Sequence, residues 1–314
     1  MKIIEARDVQ RVLNFPDLVE ALRATFAKPA GTPRRNVYDL SENDPFHDAL
    51  AVLPAWNEEF IGVKAFTYLP SNAPHGRQVL HSQILLFDRK TGVSVALVDG
   101  TTVTYWRTAA VAALAADYLA RQDAQRLLFC GTGNLAPYMI RAHATVRAYS
   151  AIGVWGRNPD KVARTIATVR AKSPQLNCLA VSDLKVAARE ADVISCATGA
   201  QEPLILGAWV RLGTHTDFFG NHNRTHRECD TELVANARVY VDSRANTLNE
   251  AGEILIPIDE GRIREDHIVG ELADLCSGRV RGRQRQDEIT LFKSVGTALS
   301  DLAAASLVTR QLST

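Results

Sequence analysis

The rhythm of apolar and polar positions changes near residue 120. Upstream, short apolar runs at 51–56, 60–69, 83–88 and 94–99 alternate with turn-like pieces such as Asn57-Glu58-Glu59 and Arg89-Lys90-Thr91-Gly92. Connections this short predict an antiparallel meander. Residues 17–27 (DLVEALRATFA) repeat their apolar positions at helical spacing, with Pro16 and Asp17 as a start. The alanine-rich stretch 104–120 is strongly helix-forming. Downstream, strands predicted at 126–130, 151–155, 179–181, 192–197, 214–219 and 238–242 are interleaved with helices predicted over 135–149, 159–171 and 183–190. Strand and helix in alternation imply parallel pairing through crossover helices. The expected fold class is α/β: a doubly wound domain over 121–291, beside an α+β domain over 1–120 to which a C-terminal helix (292–314) returns.

The predicted strand RLLFC runs straight into Gly131-Thr132-Gly133-Asn134-Leu135-Ala136, a G-x-G-x-x-A loop. The first glycine permits a tight turn. A bare second glycine lets backbone N–H groups approach a pyrophosphate, and a small third residue lets helix and strand pack closely. The helix N-terminus adds partial positive charge facing the diphosphate. Alone, the pattern also fits an ordinary glycine turn. Its place between strand and helix, with a second strand following, points to a Rossmann-type dinucleotide domain. That second strand ends in Gly156-Arg157-Asn158, with no acid to hold a ribose 2′-hydroxyl. Arg157 is either a solvated loop residue or a partner for a 2′-phosphate, which leans toward NADP over NAD.

In the first half, Arg34 and Arg35 follow Pro33, Lys64 interrupts the run FIGVKAFTYL, and Arg107 stands beside Thr108 at the start of the alanine-rich helix. A lysine among apolar strand residues either points outward on the pleat or is buried with a partner. Together these cations could clamp a carboxylate.

Overall charge narrows the partners. The 36 basic and 35 acidic residues nearly cancel, leaving no basic excess for nucleic acid or an anionic membrane. The arginine-rich run 279–285 lacks aromatic residues and reads as a solvated loop rather than an RNA patch. No apolar run reaches the roughly 18 residues of a membrane span, and the start MKIIEARDVQ lacks the apolar region of a secretory signal. A cytoplasmic protein is expected. The five cysteines are scattered and form no CxxC pair, which argues against a disulfide framework or a zinc ribbon. His215, His222, His226 and Cys229 invite a metal reading, since His222 and His226 would align on a helix face. Gly220 and the neighbouring asparagines read as a loop instead, so no metal is expected.

These pieces, in order and spacing, resemble the ornithine cyclodeaminase/mu-crystallin family over nearly the whole chain. The resemblance rests on Gly62-Val63-Lys64, Asp99-Gly100 followed by Arg107-Thr108-Ala109-Ala110, the glycine loop, Gly213-Thr214-His215, and ITLFKSVG at 289–296. It implies a homodimer of two-domain subunits that transfers hydride between a nicotinamide (NAD or NADP) and the α-carbon of a small amino or imino acid. It also implies site roles. Arg35, or Arg34 if the register slips, and Arg107 would bind the substrate carboxylate, and Lys64 would contact substrate. Thr108 would neighbour the cofactor, Ala197 and Thr198 would form the adenosine-side wall, and Phe219 and Val295 would meet the nicotinamide. The family-type reaction is ornithine to proline plus ammonia. The alternatives are reduction of a cyclic ketimine such as pyrroline-2-carboxylate or piperideine-2-carboxylate, an alanine dehydrogenase-like reaction, and nucleotide-dependent binding without turnover.

The sequence also departs from the family pattern. His222 occupies the place of an aspartate thought to act on the substrate amine in cyclodeaminases. Imidazole accepts a proton near neutral pH but supplies no fixed negative charge for ornithine's cationic side chain. Asp217 is the other candidate for moving the proton. Asn134-Leu135 replaces the usual x-Gln, and Gln83 stands where a threonine often faces the cofactor. These changes weigh against ornithine and leave the hydride chemistry intact.

Overall fold

The computed structural model describes residues 1–40 and 48–313. It divides into two compact units, Met1–Thr108 with Thr297–Thr314, and Ala109–Gly296. The first division therefore falls inside the alanine-rich helix rather than at residue 120. That helix runs unbroken from Gly100 to Leu119, so no loop marks the change of unit.

In the first unit the elements are β1 (Lys2–Ile4), α1 (Ala6–Val12), α2 (Phe15–Phe26), β2 (Asn36–Asp39), β3 (Ala49–Trp56), β4 (Phe60–Tyr68), β5 (Leu80–Asp88), β6 (Ser94–Asp99) and the start of α3 (Gly100–Leu119). The sheet order is β1-β6-β5-β4-β3-β2. Strands β2 to β6 form the antiparallel meander, while β1 joins β6 in parallel. β1 and β2 escape the sequence pattern because they are short and mostly exposed, with no buried alternation to read. The C-terminal helix Ala298–Gln311 packs on β3, β4, β5 and α2. Gly62 makes this packing possible: a Cβ there would stand 2.8 Å from Leu302 Cδ1. Gly100 likewise lies so close to β5 that a Cβ would meet Ser82 Oγ at 2.7 Å. The Asp99 carboxylate accepts from Thr102 N and caps the first turn of α3.

The second unit continues α3 and adds β7 (Arg126–Cys130), α4 (Ala136–Val146), β8 (Ala151–Trp155), α5 (Pro159–Lys172), β9 (Cys178–Ala180), α6 (Leu184–Glu190), β10 (Val193–Cys196), β11 (His215–Phe218), α7 (Thr231–Asn236), β12 (Arg238–Val241), α8 (Arg244–Glu250), α9 (Gly252–Asp259), β13 (Ile268–Glu271), α10 (Leu272–Cys276) and β14 (Thr290–Lys293). Every strand pair is parallel, in the order β13-β12-β14-β11-β10-β7-β8-β9. This is a doubly wound Rossmann-type sheet whose order reverses between β7 and β10, where such sheets bind ligands beyond the strand ends. Asn158, Asp183, Asp230 and Ser243 cap α5, α6, α7 and α8 through their side chains. Among the described residues, no helix is long and apolar enough to cross a membrane.

The run 279–285 is not the solvated loop that its charge suggests. Arg283 is half-buried and donates to the carbonyls of Leu119, Arg285, Glu288 and Thr214 and to Thr290 Oγ1. A guanidinium with five donors can satisfy that many backbone acceptors, so the charge fastens the loop to the unit.

Candidate active site

The first unit gathers the cations of its sequence around one carboxylate. Lys64 alternates inward on β4 and is 4% exposed, so its ammonium needs partners. Its Nζ donates to Thr104 Oγ1 at 2.5 Å and to Asp301 Oδ1 at 2.9 Å. Arg107 Nε reaches the same oxygen at 3.1 Å. Burial pushes the Lys64 ammonium down to about 8; Asp301 opposes the fall, while Arg107 and then Arg35 add to it. Arg35, half-buried just before β2, is therefore close enough for its charge to be felt at Lys64. Three cations against one carboxylate leave a net positive site suited to an anion, with arginine geometry suited to a carboxylate. Arg34, the fallback, is exposed. The sequence reading missed Asp301, which looks like a helix-surface acid until the last helix is laid against β4. Gln83 is exposed and pairs with Ala65, on the opposite face of the strand from Lys64.

In the second unit, β7 ends in the glycine loop. Gly131 has φ +139°, and a Cβ there would stand 2.6 Å from the Ala197 carbonyl oxygen, which follows β10. Gly131 N donates to the Trp155 carbonyl at the end of β8. A Cβ at Gly133 meets nothing within 4 Å. That bare exposed backbone is what a close-lying diphosphate requires. Thr132 packs against Gly156, where a Cβ would come within 2.6 Å of Thr132 Cγ2. Asn134 is exposed, Leu135 precedes α4 without giving a side-chain cap, and buried Ala136 opens the helix. The helix N-terminus thus keeps its anion-binding character. The loop fits the diphosphate of a dinucleotide.

Arg157 is exposed after β8, and no acid ends that strand. Asn158 has a structural task instead of the expected cofactor role: its Oδ1 accepts from Lys161 N at 3.0 Å and caps α5. Ala197 and Thr198 stand at the end of β10, half-buried. Phe219, 5% exposed, lies 6.0 Å from the Phe292 ring centroid, and Val295 is 2% exposed. The turn holding Val295 is organised by buried Asp242, whose Oδ2 accepts from Ser294 Oγ and from the N–H groups of Val295 and Gly296.

Asp217 is not placed to move a substrate proton. It is completely buried in β11, accepts from Ser195 Oγ at 2.5 Å, and has His143 Nε2 3.2 Å away. Burial drives the neighbouring His215 well below its ordinary pKa. His222 and His226 lie in irregular backbone after β11 and share no helix face; His222 is exposed, whereas His215 and Cys229 are fully buried. Among the described residues, no group of three or more His, Cys, Asp and Glu side chains is placed to hold a metal ion.

Sheet order and glycine loop define a dinucleotide-binding protein of the doubly wound class. The chain belongs to the ornithine cyclodeaminase/mu-crystallin family, whose model matches residues 2–314. It is 52% identical over 314 residues to the Delta(1)-pyrroline-2-carboxylate reductase of Colwellia psychrerythraea, with 99% of each chain covered. It is similar to the Thermococcus litoralis Delta(1)-pyrroline-2-carboxylate reductase, solved with NADH and L-proline (TM-score 0.92, 32% identity, 99% of this chain and 97% of that one). The iminosuccinate reductase of Paracoccus denitrificans, solved with NAD+, gives a TM-score of 0.91 at 29% identity, covering 100% and 96% of the two chains.

Proposed function

We propose that this protein is an NAD(P)H-dependent reductase of cyclic ketimine acids, with Δ1-pyrroline-2-carboxylate, reduced to proline, as its reference substrate. The observation that carries the reading is the convergence of Lys64 and Arg107 on Asp301, with Arg35 close by, a net positive cluster of the kind a small carboxylate needs. The reductases among its relatives favour this reading over the family-type ornithine cyclodeaminase. So does His222, which offers no fixed negative charge to a diamino acid.

A bound reduced nicotinamide supplies the hydride. The work of the chain is to place and charge the substrate. Arg35 and Arg107 pin the carboxylate and thereby fix the adjacent imine carbon, a positioning effect. Lys64 Nζ, with its pKa lowered to about 8, gives its proton more readily than an ordinary lysine. It supplies the proton that the ring nitrogen takes, so that the carbon accepts hydride and the nitrogen is left as an amine. Asp301 keeps Lys64 and Arg107 together. The loop 131–136 holds the diphosphate, and Phe219 and Val295 form the apolar side that meets the nicotinamide. Arg157 admits a 2′-phosphate and favours NADPH over NADH.

The assay that tests this reading follows nicotinamide absorbance with Δ1-pyrroline-2-carboxylate and, in parallel, ammonia release from ornithine with NAD+. Ketimine-dependent oxidation without ammonia release is expected. Ammonia and proline from ornithine would restore the cyclodeaminase reading, and neither activity would favour a binding protein.

We also propose a homodimer. The edge strand β2 presents Val37 and Tyr38 at 59% and 53% exposure, a surface that a second copy would cover. Sedimentation velocity checks it.

A further inference from the structure

Behind the strand ends of the second unit lies a buried charged network for which the reaction has no direct use. Glu228, Glu253 and Lys293 are each fully buried. Glu228 Oε1 accepts from Thr198 N at 2.6 Å and from Thr198 Oγ1 at 2.7 Å. Its Oε2 accepts from Gly220 N at 2.7 Å. One carboxylate therefore joins the loop that follows β10 to the loop that follows β11. The two loops are also in contact, since a Cβ at Gly220 would fall 1.9 Å from the Thr198 carbonyl oxygen. Glu253 Oε1 accepts from Glu228 N at 3.1 Å, and its Oε2 lies 2.9 Å from Lys293 Nζ. Lys293 in turn donates to the Asn221 carbonyl at 3.0 Å, and Asn221 Nδ2 returns to the Ala200 carbonyl at 2.6 Å. The network closes a ring through the segments 198–200 and 219–221.

Burying three ionisable groups is expensive, and packing alone would be served as well by apolar side chains. The groups do what apolar side chains cannot, which is to satisfy backbone donors on two separate loops at fixed distances. The Glu228 carboxyl is pushed up to about 7 by burial, Lys293 opposing and Glu253 adding, so its hydrogen bonds are held against a substantial desolvation cost.

We infer that Glu228 is a positioning residue for the nicotinamide side of the nucleotide site: by tying Thr198 to Gly220 it sets the backbone that carries Phe219. This rests on the reading that Phe219 meets the nicotinamide.

Glu228→Gln separates the two ties. The glutamine carbonyl still accepts from Thr198, while its amide group meets the Gly220 N–H donor to donor. Titration of the full-length wild type and variant with NADH and with ADP-ribose, which lacks the nicotinamide ring, reads the difference. NADH affinity is expected to fall about tenfold, with ADP-ribose held within about twofold. Equal losses for both ligands, or none, would overturn the assignment, because a merely structural role does not distinguish them. Wild type that binds neither ligand would refute the nucleotide reading rather than the clamp. Hydrogen exchange of the wild-type Gly220 amide tests the clamp without any variant. Slow exchange in the ligand-free protein is expected, and exchange at the rate of an open loop would refute it.

Discussion

Asp301 Oδ1 lies 2.9 Å from Lys64 Nζ, across 237 residues of sequence, with both side chains buried. The same oxygen takes Arg107 at 3.1 Å, so Asp301→Asn leaves two cations facing each other in the interior. Breaking a buried pair in this way costs about 3–5 kcal/mol. Urea unfolding should report that loss. The alkaline limb of the kcat/KM profile should also move to lower pH, because the remaining ammonium sheds its proton more easily.

Arg107→Ala should lower kcat/KM for the ketimine by at least about a hundredfold, the order expected for losing a charge-assisted contact to a buried carboxylate. NADH affinity should stay within about twofold, because the glycine loop is untouched. Steady-state kinetics beside a fluorescence titration separates the two. A variant with normal turnover would remove Arg107 from the pocket.

The lowered pKa of Lys64 gives pH dependence with a defined sign. Reduction consumes a proton and the site needs its cation, so kcat/KM should decline as pH rises above about 8. Lys64→Arg, whose guanidinium does not titrate there, should flatten that limb even if it lowers the plateau. For stability, the folded-state value lies below the ordinary 10.5, so the unfolded chain binds more protons between the two. The folding penalty is fully present below pH 8 and fades as pH rises toward 10.5. Urea unfolding of wild type and Lys64→Met at pH 7.5 and 9.5 should show the wild type gaining on the variant at the higher pH.

Cofactor choice turns on Arg157, exposed beyond β8 with no acid at the strand end. Arg157→Ala should raise KM for NADPH about tenfold and leave NADH within about twofold. Equal effects on both would assign Arg157 to the solvated loop alone.

What the sequence made legible, and what it hid, follows from where each signal resides. The glycine loop could be read because each glycine answers a local demand. Gly131 sits at positive φ against the Ala197 carbonyl, and Gly133 is bare where a phosphate would pass. Lys64 and Arg107 could be found as charges in apolar surroundings. Their counter-ion could not, since Asp301 sits in an alanine-rich helix whose placement against β4 is decided only by tertiary packing. Glu228 is hidden for the same reason, being one polar residue among many in THRECD. Asp217 misled because β11 is buried on both faces, so the in-out alternation that marks an exposed acid is absent. Arg283 misled in the opposite direction: within a charge run it looks solvated, yet its guanidinium is spent on carbonyl oxygens.

The central claim is that hydride reaches the carbon beside an anchored carboxylate. Incubation of the full-length protein with Δ1-pyrroline-2-carboxylate and NADH deuterated at nicotinamide C4, on the face that is transferred, tests it most directly, with the proline product examined by NMR. One deuterium at Cα per cofactor oxidised is the predicted result. Cofactor oxidation without deuterated proline, or proline carrying the label elsewhere, would contradict the account.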